Sequence, residues 1–394
     1  MSSLVRQFLV MMRANLAGLR RRMAISLSMM LSVALVVGVL AGFLSMAAGF
    51  EKVLTGTGSP LVAVVLGGGT NQETGSEISS EALRGIMALG GDIGAARDAA
   101  GHLIASREIV VTTEAAATSL ALRGMDQAGP GLRDGVTLTD GRIFAPGMRE
   151  IVVGETLARD IPAFALGRTV RLGTLDWTVV GLFSAGGSAF ESEIWADLDT
   201  VRAAFDRQGE VQSLRLRLVD PAGIATLRQA LDRITALPLT ALPEPDLYAG
   251  QSGRTADLIR MFGWPLALLM AVGAAAGALN TMMSSVADRT VEIATLRAIG
   301  FGRVPTFLAT WAEAAVLALA GVALGTGLSW LLFNGWQAST LGAGNTRIGF
   351  QLAVTPQVML SAGLLGLVTG LLGGALPALA ATRLPLTAAL RARG

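Results

Sequence analysis

ISLSMMLSVALVVGVLAGFLSMAA, residues 25–48, runs without a single charged side chain. Crossing the hydrocarbon core of a bilayer takes about 20 apolar residues, so this stretch alone decides that the chain enters a membrane. Arg20, Arg21 and Arg22 precede it and would suit the basic region of a secretory leader. A leader's apolar region is only about 7–15 residues long, and the run here is longer, so a retained helix is expected. Three further stretches have the same character: Phe262 to Val286, Val304 to Phe333 and Val358 to Ala381. None carries Lys, Arg or Asp in its middle. The rest of the composition agrees. The 394 residues are 52% hydrophobic and 15% charged, with mean hydropathy +0.56, against about 25% charged in ordinary soluble domains. The deficit sits in the apolar blocks, while the middle of the chain has a soluble composition.

The expected architecture is therefore an α-helical membrane protein with four transmembrane helices and a large α+β extracytoplasmic domain between the first and second. Its parts are an N-terminal cytoplasmic helix (1–22), the first span (23–50), the outer domain (51–260) and the second span (261–286). A cytoplasmic helix (287–303), the third span (304–333), a short outer loop (334–357), the fourth span (358–381) and a cytoplasmic tail (382–394) follow. Orientation comes from arginine placement, because short cytoplasmic loops carry the excess of positive charge. Arg6, Arg13 and Arg20 to Arg22 precede the first span, Arg289, Arg297 and Arg303 lie between the second and third, and Arg383, Arg391 and Arg393 follow the fourth. The third-to-fourth loop holds only Arg347. Both termini should then be cytoplasmic in a bacterial inner membrane. The formal net charge is only +2, so the basic clusters suit anionic lipid head groups better than nucleic acid. Leu4, Phe8, Met11, Met12, Leu16 and Leu19 fall near one helical face, with Arg6 and Arg13 opposite. This reads either as an amphipathic helix on the membrane surface or as a helix continuing into the first span. Each span holds a Gly-x-x-x-Gly pair (Gly38 and Gly42, Gly273 and Gly277, Gly321 and Gly325, Gly366 and Gly370), read as generic helix packing.

In the outer domain, Leu61 to Leu66, Glu150 to Val153, Thr169 to Leu172, Trp177 to Phe183 and Val211 to Val219 read as strands. The Gly173–Asp176 turn joins two of them. Ser79 to Leu89, Thr200 to Phe205 and Ala222 to Ile234 read as helices. Pro238, Pro243 and Pro245 mark irregular chain before the second span. There are no cysteines, which excludes disulfides and thiolate metal sites. His102 is the single histidine and has no nucleophile motif beside it. A phosphate-binding loop needs a lysine after its glycines, and Lys52, the only lysine, sits in no such loop. No enzymatic site is expected. The acidic group Glu191, Glu193, Asp197 and Asp199 is the best cation candidate, yet it lacks the spacing of a calcium loop. Glu191 and Glu193 read as the exposed face of a strand. Glu313 is the one acid well inside a span and reads as an interfacial or bundle-facing contact.

The most specific stretch is Gly277-Ala278-Leu279-Asn280-Thr281-Met282, followed by Asp288-Arg289-Thr290-Val291-Glu292-Ile293-Ala294-Thr295-Leu296-Arg297-Ala298-Ile299-Gly300. Arg297 would favour the negative end of a short helix here, and Gly300 would cap it. Arg289 and Glu292, one turn apart, can pair. Together with Trp311-Ala312-Glu313-Ala314, the tail from Pro377 to Arg391, and the outer motifs Glu150 to Gly154 and Trp177 to Gly181, this stretch resembles the FtsX/MacB-like (type VII, mechanotransmission) ABC transporter permeases. The tail departs from the family pattern by one extra residue before Ala389-Leu390-Arg391.

The resemblance implies a MacB-type periplasmic core domain and a coupling helix that docks in a separate ABC ATPase. Its residues would be Arg289, Thr290, Glu292, Ile293, Leu296, Arg297, Ala298 and Gly300, with Gly277 and Asn280 packing helices. No cofactor is implied for this chain, since ATP is bound by the partner. A second permease copy or paralogue, a periplasmic adaptor and membrane lipids are the other implied partners. The implied function is export or extraction of a hydrophobic cargo: lipoprotein, lipid, peptide or drug. The alternative is an FtsX-like regulator that activates a cell-wall hydrolase.

Overall fold

The computed structural model describes residues 3–18, 23–234, 238–342 and 345–383. The Arg20 to Arg22 cluster and the Pro385 to Arg391 motif lie outside the described residues. The chain divides into two compact units. One comprises Met1–Ala48, Leu258–Trp336 and Leu352–Gly394, the other Gly49–Asp257 and Gln337–Gln351.

The first unit is helical. It is built from α1 (Ser3–Gly18) and from parts of α2 (Met23–Thr55) and α7 (Glu244–Asp288), followed by α8 (Thr290–Ala298), α9 (Arg303–Phe333) and α10 (Pro356–Thr382). Among the described residues four helices, those containing Ser26–Thr55, Glu244–Asp288, Arg303–Phe333 and Pro356–Thr382, are long and apolar enough to cross a membrane. Val33, Val37, Leu40, Ala41 and Leu44 of α2 form the centre of the bundle with Ala267, Val358 and Ala362. Met29 meets Ala278, Met282, Ala314 and Leu317. Two glycines of α9 make the close approach possible. A Cβ on Gly321 would lie 2.7 Å from the Met30 carbonyl oxygen, and one on Gly325 would lie 2.8 Å from that of Ala34. Larger residues would push α9 off the α2 backbone. The other expected pairs do not all pack this way: Gly273 has open space where a Cβ would stand. Helix α1 is a separate element, and it lies on α9. Met11 is buried, the Gly302 N–H donates to Gln7 Oε1 (3.1 Å), and Asn15 Nδ2 donates to the Ala309 carbonyl (3.3 Å).

The second unit is a mixed sheet with helices. Its strands are β1 (Val62–Gly67), β2 (Ala105–Ala115), β3 (Thr118–Met125), β4 (Thr137–Gly141), β5 (Glu150–Gly154), β6 (Thr169–Leu172), β7 (Leu175–Ser184), β8 (Glu193–Asp197), β9 (Ser213–Arg217) and β10 (Leu239–Pro243). They form one ten-stranded sheet in the order β10-β1-β9-β2-β3-β8-β5-β7-β4, with β6 paired to β7. The β3–β8 and β5–β7 pairs are parallel and the others antiparallel. Successive side chains of a strand point to opposite faces. One face is mainly apolar. Ala63, Val65, Leu214 and Leu216 pack there with α3 (Ser80–Met87) and α6 (Gly223–Leu231). Ile109, Leu120, Leu122, Ile151, Ile194 and Ala196 pack with α4 (Glu155–Asp160) and α5 (Leu198–Ala204).

Two expectations about boundaries are corrected. Pro243 and Pro245 do not mark irregular chain: Pro243 closes the edge strand β10, and Pro245 sits in the first turn of α7, where its missing N–H is no loss. That helix starts at Glu244, well before the expected second span. The loop after α9 is not merely short. It forms a hairpin of β11 (Gln337–Leu341) and β12 (Arg347–Gln351) that belongs to the second unit. There the Gly349 N–H donates to Ser192 Oγ (3.0 Å), Arg347 pairs with Asp160 (2.7 Å), and Phe350 stands edge-on to Phe50 at 5.6 Å.

Candidate functional site

Helix α8 has nine residues, Thr290–Ala298. Its backbone separates from α7 at Arg289, whose φ of −103° and ψ of 8° leave the helical region. It ends in a double hydrogen bond typical of a glycine stop: the Gly300 N–H reaches the Arg297 carbonyl (3.1 Å) and the Phe301 N–H that of Leu296 (3.2 Å). Gly300 has φ +112°, a conformation that costs only glycine nothing. The helix has two faces. Ile293 and Ala294 are buried, Ile293 against Val286 and Ala381. Glu292, Thr295, Ala298 and Ile299 are exposed, while Thr290, Leu296 and Arg297 are half-buried. Arg289 does not pair with Glu292 as its spacing allowed. Its guanidinium is buried and donates to Glu313 Oε2 (2.5 Å) and Ser285 Oγ (3.1 Å). Glu313, 2% exposed, is therefore a bundle-facing contact with a named partner, and the pair ties the start of α8 to α9.

The acidic residues of the second unit are also placed differently from expectation. Glu191 and Glu193 are buried, not on an exposed strand face. Glu191 accepts from Thr156, Ser184 and the N–H groups of Ala185 and Gly187. Asp197 caps α5 through Thr200, and Asp199 pairs with Arg202. Among the described residues no cluster of three or more His, Asp or Glu is arranged to hold a metal ion. Glu193 belongs to a buried charged layer on the second face of the sheet. Arg123 of β3 donates to Glu193 (2.7 Å), Glu73 (2.9 Å) and Glu108 (3.0 Å). Arg133 reaches Glu108 (2.7 Å) and lies over the Trp195 and Phe190 rings. Arg215 of β9 reaches Glu73 (2.9 Å), Glu108 and Glu244 (2.8 Å), and Tyr248 Oη at 3.2 Å. Burial alone would raise the Glu73 carboxyl, but Arg123 and Arg215 outweigh it and hold it well below the usual carboxylate range. Burial likewise pushes Glu108 up, and Arg133, Arg215 and Arg123 bring it below its usual value.

A family model for the MacB-like periplasmic core domain matches residues 26–234, and one for the FtsX-like permease C-terminal region matches residues 265–386. The chain belongs to the FtsX/MacB-like ABC permeases. Among its relatives, the macrolide export ATP-binding/permease protein MacB of Rhodopseudomonas palustris is 27% identical, over 51% of this chain and 34% of that protein. The corresponding Bdellovibrio bacteriovorus protein is 25% identical, over 93% of this chain and 58% of its own length. This FtsX/MacB-like permease thus spans between 34% and 58% of the length of these two relatives. The periplasmic region of MacB from Actinobacillus actinomycetemcomitans is 14% identical, with a TM-score of 0.37, over 49% of this chain and 92% of that one.

In this permease the residues expected to act together in the cytoplasmic helix do lie on one short element, from Arg289 to Gly300. A Cβ on Gly277 would stand 4.0 Å from Ser32 Oγ of α2, while Gly277 and Asn280 are largely open to the surface. The neighbouring stripe of Ala278 and Met282, four apart, is the one that is buried. Sequence reasoning missed the Arg289–Glu313 pair and the whole charged layer. The signal for the first was present, since a lone buried acid in an apolar helix needs a cation.

Proposed function

We propose that this chain is the permease subunit of a mechanotransmission-type ABC transporter. A separate ATPase would hydrolyse ATP and drive movement of the outer domain, to export or extract a hydrophobic cargo such as a lipoprotein, lipid, peptide or drug. The working unit would include an ABC ATPase and a second permease copy. It would sit in a bacterial inner membrane with both termini on the ATPase side.

The observation that carries this reading is the two-faced geometry of α8. Ile293 and Ala294 seat its rear on the permease's own helices, and Arg289 locks its start to Glu313. Its front offers Glu292, Thr295, Ala298 and Ile299, with Leu296 and Arg297 at the border. A helix held in this way passes a push on to α7 and α9 instead of absorbing it.

Ile299→Asp tests the reading. Ile299 is 73% exposed, so a carboxylate there costs the isolated permease little. Buried unpaired in an ATPase groove, it costs several kcal/mol, about a hundredfold or more in affinity. The expected result is an unchanged melting temperature in detergent with loss of ATPase co-purification. Leu296→Asp is half-buried and should lower both. Full retention of the ATPase by Ile299→Asp would remove this face from the mechanism.

A further inference from the structure

The charged layer lies where α7 begins, at Glu244 within the second unit. Arg215 is fully buried, and its guanidinium holds two residues of α7's opening turns, Glu244 and Tyr248, along with Glu73 and Glu108 of the sheet side. Glu244 has its other oxygen on the Ser59 N–H (3.1 Å), next to β1. Between them Leu247 packs on Val64 and Leu66, the β1 side chains that share the charged face. Three arginines (Arg123, Arg133, Arg215) therefore meet four carboxylates (Glu73, Glu108, Glu193, Glu244) under the start of α7. Apolar contacts are non-directional and let a helix slip or rotate at small cost. A guanidinium fork accepts few geometries, and leaving one of its buried partners unpaired is strongly unfavourable. A layer of this kind is a poor source of stability compared with apolar packing, but it selects a single arrangement.

We propose that this layer is the joint by which the sheet grips α7: Arg215, holding Glu244 and Tyr248 one helical turn apart, sets the rotation and height of the helix's first turns against β1 and β9. The sheet and the first turns of the helix then move as one piece. Its use in transport rests on the permease reading given above; the joint itself does not.

The test is amide hydrogen exchange on the full chain in lipid nanodiscs, comparing wild type with Glu244→Gln and with the milder Tyr248→Phe. The expected result is faster exchange confined to the amides of residues 248–251, whose helical acceptors are the carbonyls of the first turn, by roughly tenfold in Glu244→Gln and less in Tyr248→Phe. Strands β5, β7 and β8 should keep their protection. Unchanged exchange at 248–251 overturns the proposal, and so does a rise spread evenly over the sheet, which would make the pair a general stabiliser. If exchange loosens locally in a variant that still binds its ATPase and shows undiminished cargo-dependent turnover, the joint plays no part in transmission, and the permease reading stands. Failure of the wild-type chain to bind any ABC ATPase sinks the permease reading instead, and leaves the exchange result untouched.

Discussion

Single residues in this protein show how far an alternating pattern can be trusted. In β2, β3, β8 and β9 the charged and apolar residues alternate, and alternation says only that two faces differ. Which face meets water depends on what the rest of the chain lays over it. Here α7's first turns, Glu73 and Arg133 cover the charged side, so the exposed reading of Glu193 fails for a tertiary reason. The short helix between Arg289 and Gly300 was legible because a glycine stop and a short run between two long apolar helices are local features. The pairing of Glu313 needed contact across helices. Glu73 and Glu108 also carry a pH dependence. Both are depressed below the ordinary 4.5, so below that value the unfolded chain takes up protons before the folded one does. Their contribution is fully present above about pH 5.5 and is lost as pH falls through 4.5 toward the folded values. The melting temperature of the full chain, followed by circular dichroism, should be level from pH 7 to about 5.5 and drop steeply below about 4.5. A midpoint that already falls between pH 7 and 6 would contradict this.

Among elements, the strands with β-branched runs and glycine turns were readable, and β6 matches its expected limits. The β2–β3 hairpin was not. Its turn is Ala116-Ala117, with φ of 51° and 58°. That left-handed pair is normally supplied by Asn or Gly, so the run Glu114 to Thr118 carries no turn signal. The β11–β12 hairpin was hidden for another reason: it is contributed from a loop far along the chain to a unit whose bulk precedes it. Its three anchors are a half-buried ion pair, an edge-to-face ring pair and a backbone-to-Ser192 bond. Together they contribute about 2 kcal/mol. A fragment of residues 49–257 should fold cooperatively. The same fragment with residues 337–351 joined by a flexible linker should melt roughly 4–8 °C higher. Equal melting temperatures would show that the hairpin rests on the unit without stabilising it.

For the whole molecule, orientation in the membrane rests on arginine placement, and part of that signal (Arg20 to Arg22, Arg391 and Arg393) lies outside the described residues. Reporter fusions decide the matter. One placed after Gly394 or within Val291–Arg297 should read cytoplasmic, and one inside Glu51–Arg254 external. An external C-terminus would overturn the four-span arrangement. The two faces of the sheet should also differ in how they change over evolutionary time. On the apolar face an Ile→Val step costs about 0.5–1.5 kcal/mol, small enough to be tolerated singly and repaired later. On the charged face a step that removes a partner outright strands a buried charge at a cost of about 3–5 kcal/mol, unlike Glu244→Gln, which keeps an accepting oxygen for Arg215. That cost is a large part of the roughly 5–15 kcal/mol that keeps a domain folded. Substitution at Glu73, Glu108, Arg123, Arg133, Glu193, Arg215 and Glu244 is therefore epistatic. These seven positions should be inherited as a block, replaced together or not at all, while apolar-face positions such as Ile109, Ile194 and Leu214 exchange with similar residues one at a time.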